Sequence, residues 1–127
     1  LVNGDIRCGR SAFKALSETG ADGVMIGRAA QGNQWIFSSI RAALDGEKWR
    51  EPSPIERLDV LHSFLESIYQ LYGEEQGSLV ARKHIIWFLS YLPMKSELNK
   101  ATMDKIRTPH EQLNFVEVRK REFENKE

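Results

Sequence analysis

At Pro52 the punctuation of this chain changes, and with it the kind of fold each side can adopt. Ahead of it, short apolar runs alternate with amphipathic segments and glycine turns; behind it, apolar residues keep a helical period throughout. Leu1-Val2 ends in the turn signal Asn3-Gly4-Asp5, and residues 9–19 place Ala12, Phe13 and Leu16 at helical spacing before Thr19-Gly20 closes the helix. Gly23-Val24-Met25-Ile26 is a short apolar run of the kind a buried parallel strand needs, stopped by Gly27. A second helix, expected over residues 34–45, carries Trp35, Ile36, Phe37 and Ile40 up to Asp45-Gly46. This β-α-β-α order with short connections predicts a parallel α/β unit over residues 1–48.

Glu47 to Pro52 is polar and reads as a linker. Ser53-Pro54-Ile55-Glu56 is a capping box with proline at the first helical position, followed by an apolar stripe from Leu58 to Tyr72 that stops at Gly73. Gly77 and Ser78 read as the break before a helix over residues 79–92, which Pro93 ends. A shorter helix is expected over residues 96–107. Thr108-Pro109-His110-Glu111 repeats the capping box, with Leu113, Val116, Val118 and Phe123 as the apolar side of a last helix. Four helices with short turns over residues 53–127 predict an antiparallel bundle.

With 127 residues the chain has material for one ordinary domain or two small pieces. It opens without methionine, and its first apolar run is too short for a signal peptide or a membrane span, so it reads as an internal segment of a soluble, cytoplasmic protein. Eighteen Lys plus Arg balance eighteen Asp plus Glu, yet the distribution is uneven. Residues 53–78 hold one Arg against five acids, whereas residues 79–108 hold six Lys or Arg against two acids. The zero average conceals a basic block. Cys8 is the single cysteine, which excludes an intrachain disulfide, and three scattered histidines make no metal spacing.

The turns at Asn3-Gly4 and Gly27 each follow a predicted parallel strand, 24 residues apart from Asn3 to Gly27, which is one β-α-β repeat. In (β/α)8 barrels of about 250 residues, the loops after strands seven and eight commonly bind a phosphate through backbone N–H groups. Glycine allows close backbone approach, and Arg28 can add a charged contact; the plainer alternative is two turns and a solvated arginine.

Asn3-Gly4-Asp5-Ile6, the run Thr19-Gly20-Ala21-Asp22-Gly23-Val24-Met25-Ile26-Gly27-Arg28-Ala29-Ala30-Gln31-Gly32-Asn33, and Trp35-Ile36-Phe37 together resemble the barrel end of tRNA-dihydrouridine synthases, the bacterial B type above all. Gln34 stands where the family usually has proline. The likeness continues through Tyr69–Gly73 and Ala81-Arg82-Lys83-His84-Ile85, with Trp87-Phe88 behind it, and weakens after about Asn99.

That resemblance implies the last two strands and helices of a TIM barrel over residues 1–48 and a helical tRNA-binding domain over residues 53–127. The implied activity is reduction of a tRNA uridine to dihydrouridine by FMN, with NADPH reducing the flavin. It assigns Asn3, Gly4 and Asp5 to FMN and Gly27 and Arg28 to its phosphate. The general-acid cysteine of the family is expected upstream of Leu1, so Cys8 is read as a small buried or half-buried residue and the segment alone as inactive. Strands cut from a barrel would expose edges and invite self-association.

Among the remaining residues, His62 reads as a core or boundary histidine, and Trp87, Phe88 and Tyr91 at helical spacing read as core. Arg82 and Lys83 lie in the basic block and are candidates for tRNA phosphate contacts, with His84 joining them when protonated. Two other classes stand beside the enzyme reading: a flavin-free helical RNA-binding module, and an interaction bundle on an unrelated flavin barrel. The Gly20–Phe37 run speaks against the latter.

Overall fold

A computed structural model of the chain describes residues 6–93 and 100–125. It divides into two compact units, Leu1–Glu51 and Pro52–Glu127. Among the described residues the regular elements are all helical.

In the first unit, helix α1 (Gly9–Thr19) packs against helix α2 (Ile36–Leu44), with a 3-10 turn at Arg28–Ala30 beside α2. Ile6, Ala12, Ile36 and Ile40 form its buried core, and Val24, Ile26, Ala29 and Ala30 pack partly buried against them. This unit corrects the βαβα expectation. Val24 makes a single β-bridge and its neighbours Gly23, Met25 and Ile26 form no strand; the other predicted strand, Leu1-Val2, lies outside the described residues. An apolar run becomes a parallel strand only where neighbours complete its hydrogen-bond ladder. The described residues offer this run no strand to pair with, so it serves as apolar coil against two helices. Nor is there, among them, a strand edge of the kind expected to drive self-association.

The second unit is built on helix α3 (Pro54–Tyr72), helix α4 (Glu74–Leu89), helix α5 (Lys100–Lys105) and helix α6 (Pro109–Glu124). The Ser53 hydroxyl accepts from the Glu56 N–H at 3.1 Å, so the predicted cap starts α3. Gly73 ends α3 and begins α4 as one residue: its N–H donates to Tyr69 O at 2.8 Å while its carbonyl accepts from the Gly77 N–H at 2.9 Å. Its φ of 84° lies in the region that glycine adopts without strain, which allows the chain to reverse over a single residue.

Helix α4 therefore begins five residues before the expected position 79. Gly77 and Ser78, read as a break, are buried helical residues. A Cβ at Gly77 would stand 3.1 Å from Tyr69 Cα, so glycine here permits close helix approach rather than a turn. The buried Ser78 hydroxyl donates to Glu74 O at 2.6 Å.

Helices α3 and α6 also run antiparallel, as the pairs Asp59–Lys120, His62–Glu117 and Tyr69–Gln112 show. Leu58, Leu61 and Leu65 on α3 face Ala81, Ile85 and Leu89 on α4 and Val116 on α6, all within 2 % of full burial. The Thr108–Glu111 capping box forms as expected, but the face of α6 that it positions differs. Gln112 and Val116 are buried, whereas Val118 is 37 % exposed. No helix among the described residues is long and apolar enough to cross a membrane.

Gln112 has no solvent exposure and uses its whole amide. Oε1 accepts from the Tyr69 hydroxyl at 2.5 Å, and Nε2 donates to Ser78 O at 2.9 Å and Ile106 O at 3.2 Å. Removal takes this partner from the Tyr69 hydroxyl and the Ile106 carbonyl, and a second donor from Ser78 O, which keeps its place in the α4 ladder. Gln112→Leu should therefore destabilise the second unit by on the order of 2–4 kcal/mol, read as a lowered urea midpoint, since each unsatisfied buried group costs about 1–3 kcal/mol. An unshifted midpoint would mean that water or a neighbour replaces the amide.

Candidate functional site

Of the residues expected to hold FMN, Asn3, Gly4 and Asp5 lie outside the described residues. Gly27 precedes the 3-10 turn and Arg28 begins it, and both are exposed. Nothing lies within 4 Å of the place where a Gly27 Cβ would stand. Open backbone beside a guanidinium fits a phosphate in space and in charge.

Cys8 is exposed, contrary to the buried or half-buried setting expected of it. The reason is its place as the residue that caps α1, outside the packed face of the helix. The Ser11 hydroxyl accepts from the Arg7 and Cys8 backbone N–H groups at 2.9 and 3.0 Å and lies 3.7 Å from the Cys8 thiol. Hydrogen bonding from Ser11 holds that thiol below the usual cysteine range. Among the described residues no group of His, Cys, Asp and Glu has the arrangement of a metal site.

In the second unit, Arg82, Lys83 and His84 follow one another on α4, but their environments diverge. Arg82 is half-buried, and its Nη2 donates to Asp104 Oδ1 at 3.1 Å, joining α4 to α5. Asp104 Oδ1 also accepts from Arg107 Nη2 at 3.2 Å, so one carboxylate serves two guanidiniums. Lys83 is exposed, with Nζ 5.8 Å from the centre of the Trp87 ring. His84 is half-buried, meeting Phe64 edge-on at 4.9 Å and Trp87 at 5.1 Å between ring centroids. Burial, with the charge of Lys83 adding to it, pushes the imidazole below its ordinary value.

The aromatics expected to be core are so only in part. Phe88 is buried, Trp87 is half-buried, and Tyr91 is 41 % exposed with the Arg57 guanidinium 5.3 Å from its ring centre. Phe64, 37 % exposed, adds a ring from α3. Helical spacing alone could not separate the buried from the exposed members, because the division depends on where α3 crosses α4. His62 lies between two carboxylates, Nδ1 at 2.9 Å from Glu66 and Nε2 at 3.6 Å from Glu117 on α6, as a boundary residue does.

Residues 1–125 match the family model described as dihydrouridine synthase. The chain is 41 % identical over 114 residues to the tRNA-dihydrouridine synthase B of Xanthomonas axonopodis pv. citri, covering 89 % of this chain and 34 % of that protein. Identity is 43 % over 102 residues with a probable tRNA-dihydrouridine synthase of Rickettsia conorii, covering 80 % of this chain and 31 % of the relative. With the tRNA-dihydrouridine synthase B of Vibrio cholerae it is 36 % over 118 residues, or 92 % and 36 % of the two chains. The chain thus spans about a third of the length of the curated relatives it matches.

The depressed His84 value gives a pH dependence of definite sign. Between the ordinary imidazole value and the lower folded one, the unfolded chain binds a proton that the folded chain does not, so stability should fall as pH drops through that window. His84→Gln should flatten that part of a urea-midpoint-against-pH curve. An unchanged slope in the variant would show that His84 carries no such linkage.

Proposed function

The chain belongs to the dihydrouridine synthase family, and from that membership we propose that it is the tRNA-docking segment, with part of the flavin-phosphate site, of an enzyme that reduces uridine in tRNA to dihydrouridine. The observation that carries the reading is the family match over residues 1–125, joined by relatives whose names give tRNA as the substrate. Residues 1–48 take the cofactor role and residues 53–127 the RNA role.

On the cofactor side, Asn3, Gly4 and Asp5 contact FMN, and Gly27 and Arg28 hold its phosphate. The open backbone at Gly27 and the exposed guanidinium beside it support that assignment. FMN held there would provide hydride-transfer chemistry toward the uracil double bond, with NADPH as its reductant. The residues of this chain orient the cofactor through its phosphate.

On the RNA side, the three α4 residues divide the work according to their surroundings. Lys83, exposed and without a carboxylate among its described contacts, takes the phosphate contact. Arg82, shared with Asp104, holds α4 to α5 and reaches phosphate only from that fixed position. His84, pushed toward its neutral form, contributes ring surface more than charge.

Lys83→Ala should weaken tRNA binding about equally across different tRNAs and lower the slope of log affinity against log salt by roughly one. Arg82→Ala should in addition lower the urea midpoint, because it leaves Asp104 with one partner fewer. Filter retention of tRNA at several salt concentrations measures the first effect. A salt slope unaltered by Lys83→Ala would remove Lys83 from the interface.

A further inference from the structure

Two acidic residues of α3, Asp59 and Glu66, lie on its α6 side. Asp59 pairs with Lys120 at 2.6 Å, and Glu66 joins Glu117 around His62, all toward α6. Asp104, the acid that contacts α4 through Arg82, is held by two guanidiniums. Where α3 meets α4, the surface presents Lys83, Trp87 and Tyr91 at four-residue intervals, with Phe64 and His84 beside Trp87 and Arg57 behind Tyr91.

From this cluster of part-exposed rings beside an exposed lysine we infer that the α3–α4 face takes unpaired nucleotides of the tRNA, with bases stacked on Trp87 and Phe64 and the strand's phosphates passing Lys83. The inference rests on the reading of the chain as a tRNA-docking segment and adds which part of the RNA it meets. Lys83 and Trp87 lie one turn apart on α4, about 6 Å along its axis, and Tyr91 follows just past the end of the helix at Leu89, so the surface has room for two or three nucleotides of a single strand. Duplex RNA hides its bases within the stack, so a surface of rings has little to engage there; an unpaired strand offers a base face at every step. A phosphate-only surface, by contrast, would carry several exposed cations, and here Lys83 stands beside rings instead. The half-buried imidazole of His84, edge-on to Phe64 and Trp87, fixes the two larger rings with respect to each other. Its lowered proton affinity keeps that contact apolar near neutral pH.

The test uses the full chain with three probes: a short fluorescein-labelled single-stranded oligoribonucleotide, the blunt duplex of the same sequence, and a tRNA transcript. The single strand should bind more tightly than the duplex. Trp87→Leu, which keeps apolar volume and loses the ring, should weaken single-strand binding about tenfold without altering the salt slope. Phe64→Leu should act in the same direction, and because Phe64 is 37 % exposed it decides the matter if Trp87→Leu fails to fold by circular dichroism. Equal affinity for strand and duplex, or folded variants that bind the strand within about twofold of the parent, would overturn the stacking inference. If tRNA binding and its Lys83-dependent salt slope persist in that case, the docking reading survives alone. A folded chain that retains none of the three probes would overturn both.

Discussion

The second unit depends on one buried amide. Gln112 on α6 ties the α3 hydroxyl of Tyr69 to the α4 carbonyl of Ser78 and to the Ile106 carbonyl that follows α5. Apolar burial of Leu61, Leu65 and Val116 supplies the larger share of the driving force, but it is indifferent to small rotations of one helix against another. A fully satisfied amide is not, because any shift that breaks a bond leaves a polar group in a dry interior. Burial pushes the Tyr69 phenol up to about 12, so it remains a donor to the amide at any physiological pH. Packing and polar satisfaction thereby fix the same arrangement, and the surface of α4 is presented in one orientation.

Gly77 is the second part of that arrangement. Its missing Cβ lets α4 approach Tyr69, and Gly73 turns the chain one helical turn earlier. The sequence contains two glycines four residues apart with opposite duties, one conformational and one steric. Pattern reading treats a glycine followed by serine as punctuation, which explains the late start expected for α4. Nothing local distinguishes a glycine that breaks a helix from one that allows a neighbour close; only the partner helix does.

Elsewhere, local chemistry was legible. The caps at Ser53 and Thr108, the second a full capping box, start helices where side-chain spacing said they should, since a cap depends on three or four adjacent residues. The βαβα expectation failed because a strand is not a local object: Gly23–Ile26 has strand composition, but the described residues offer it no strand to pair with. Gln112 was invisible for the same reason, its three partners lying 43, 34 and 6 residues away. Among candidate site residues, the pattern grouped Arg82, Lys83 and His84 by adjacency. Tertiary contacts then divide them into a helix tie, an exposed cation and a half-buried ring.

The central claim is that α6 and its acidic partners form the inner support of the helical unit while the α4 side of α3 meets RNA. Amide hydrogen exchange of the full chain, with and without saturating tRNA transcript, tests it without any substitution. The account predicts slowed exchange along Lys83–Tyr91 and no change along α6. Slowing confined to α6, or none anywhere at saturation, would contradict it.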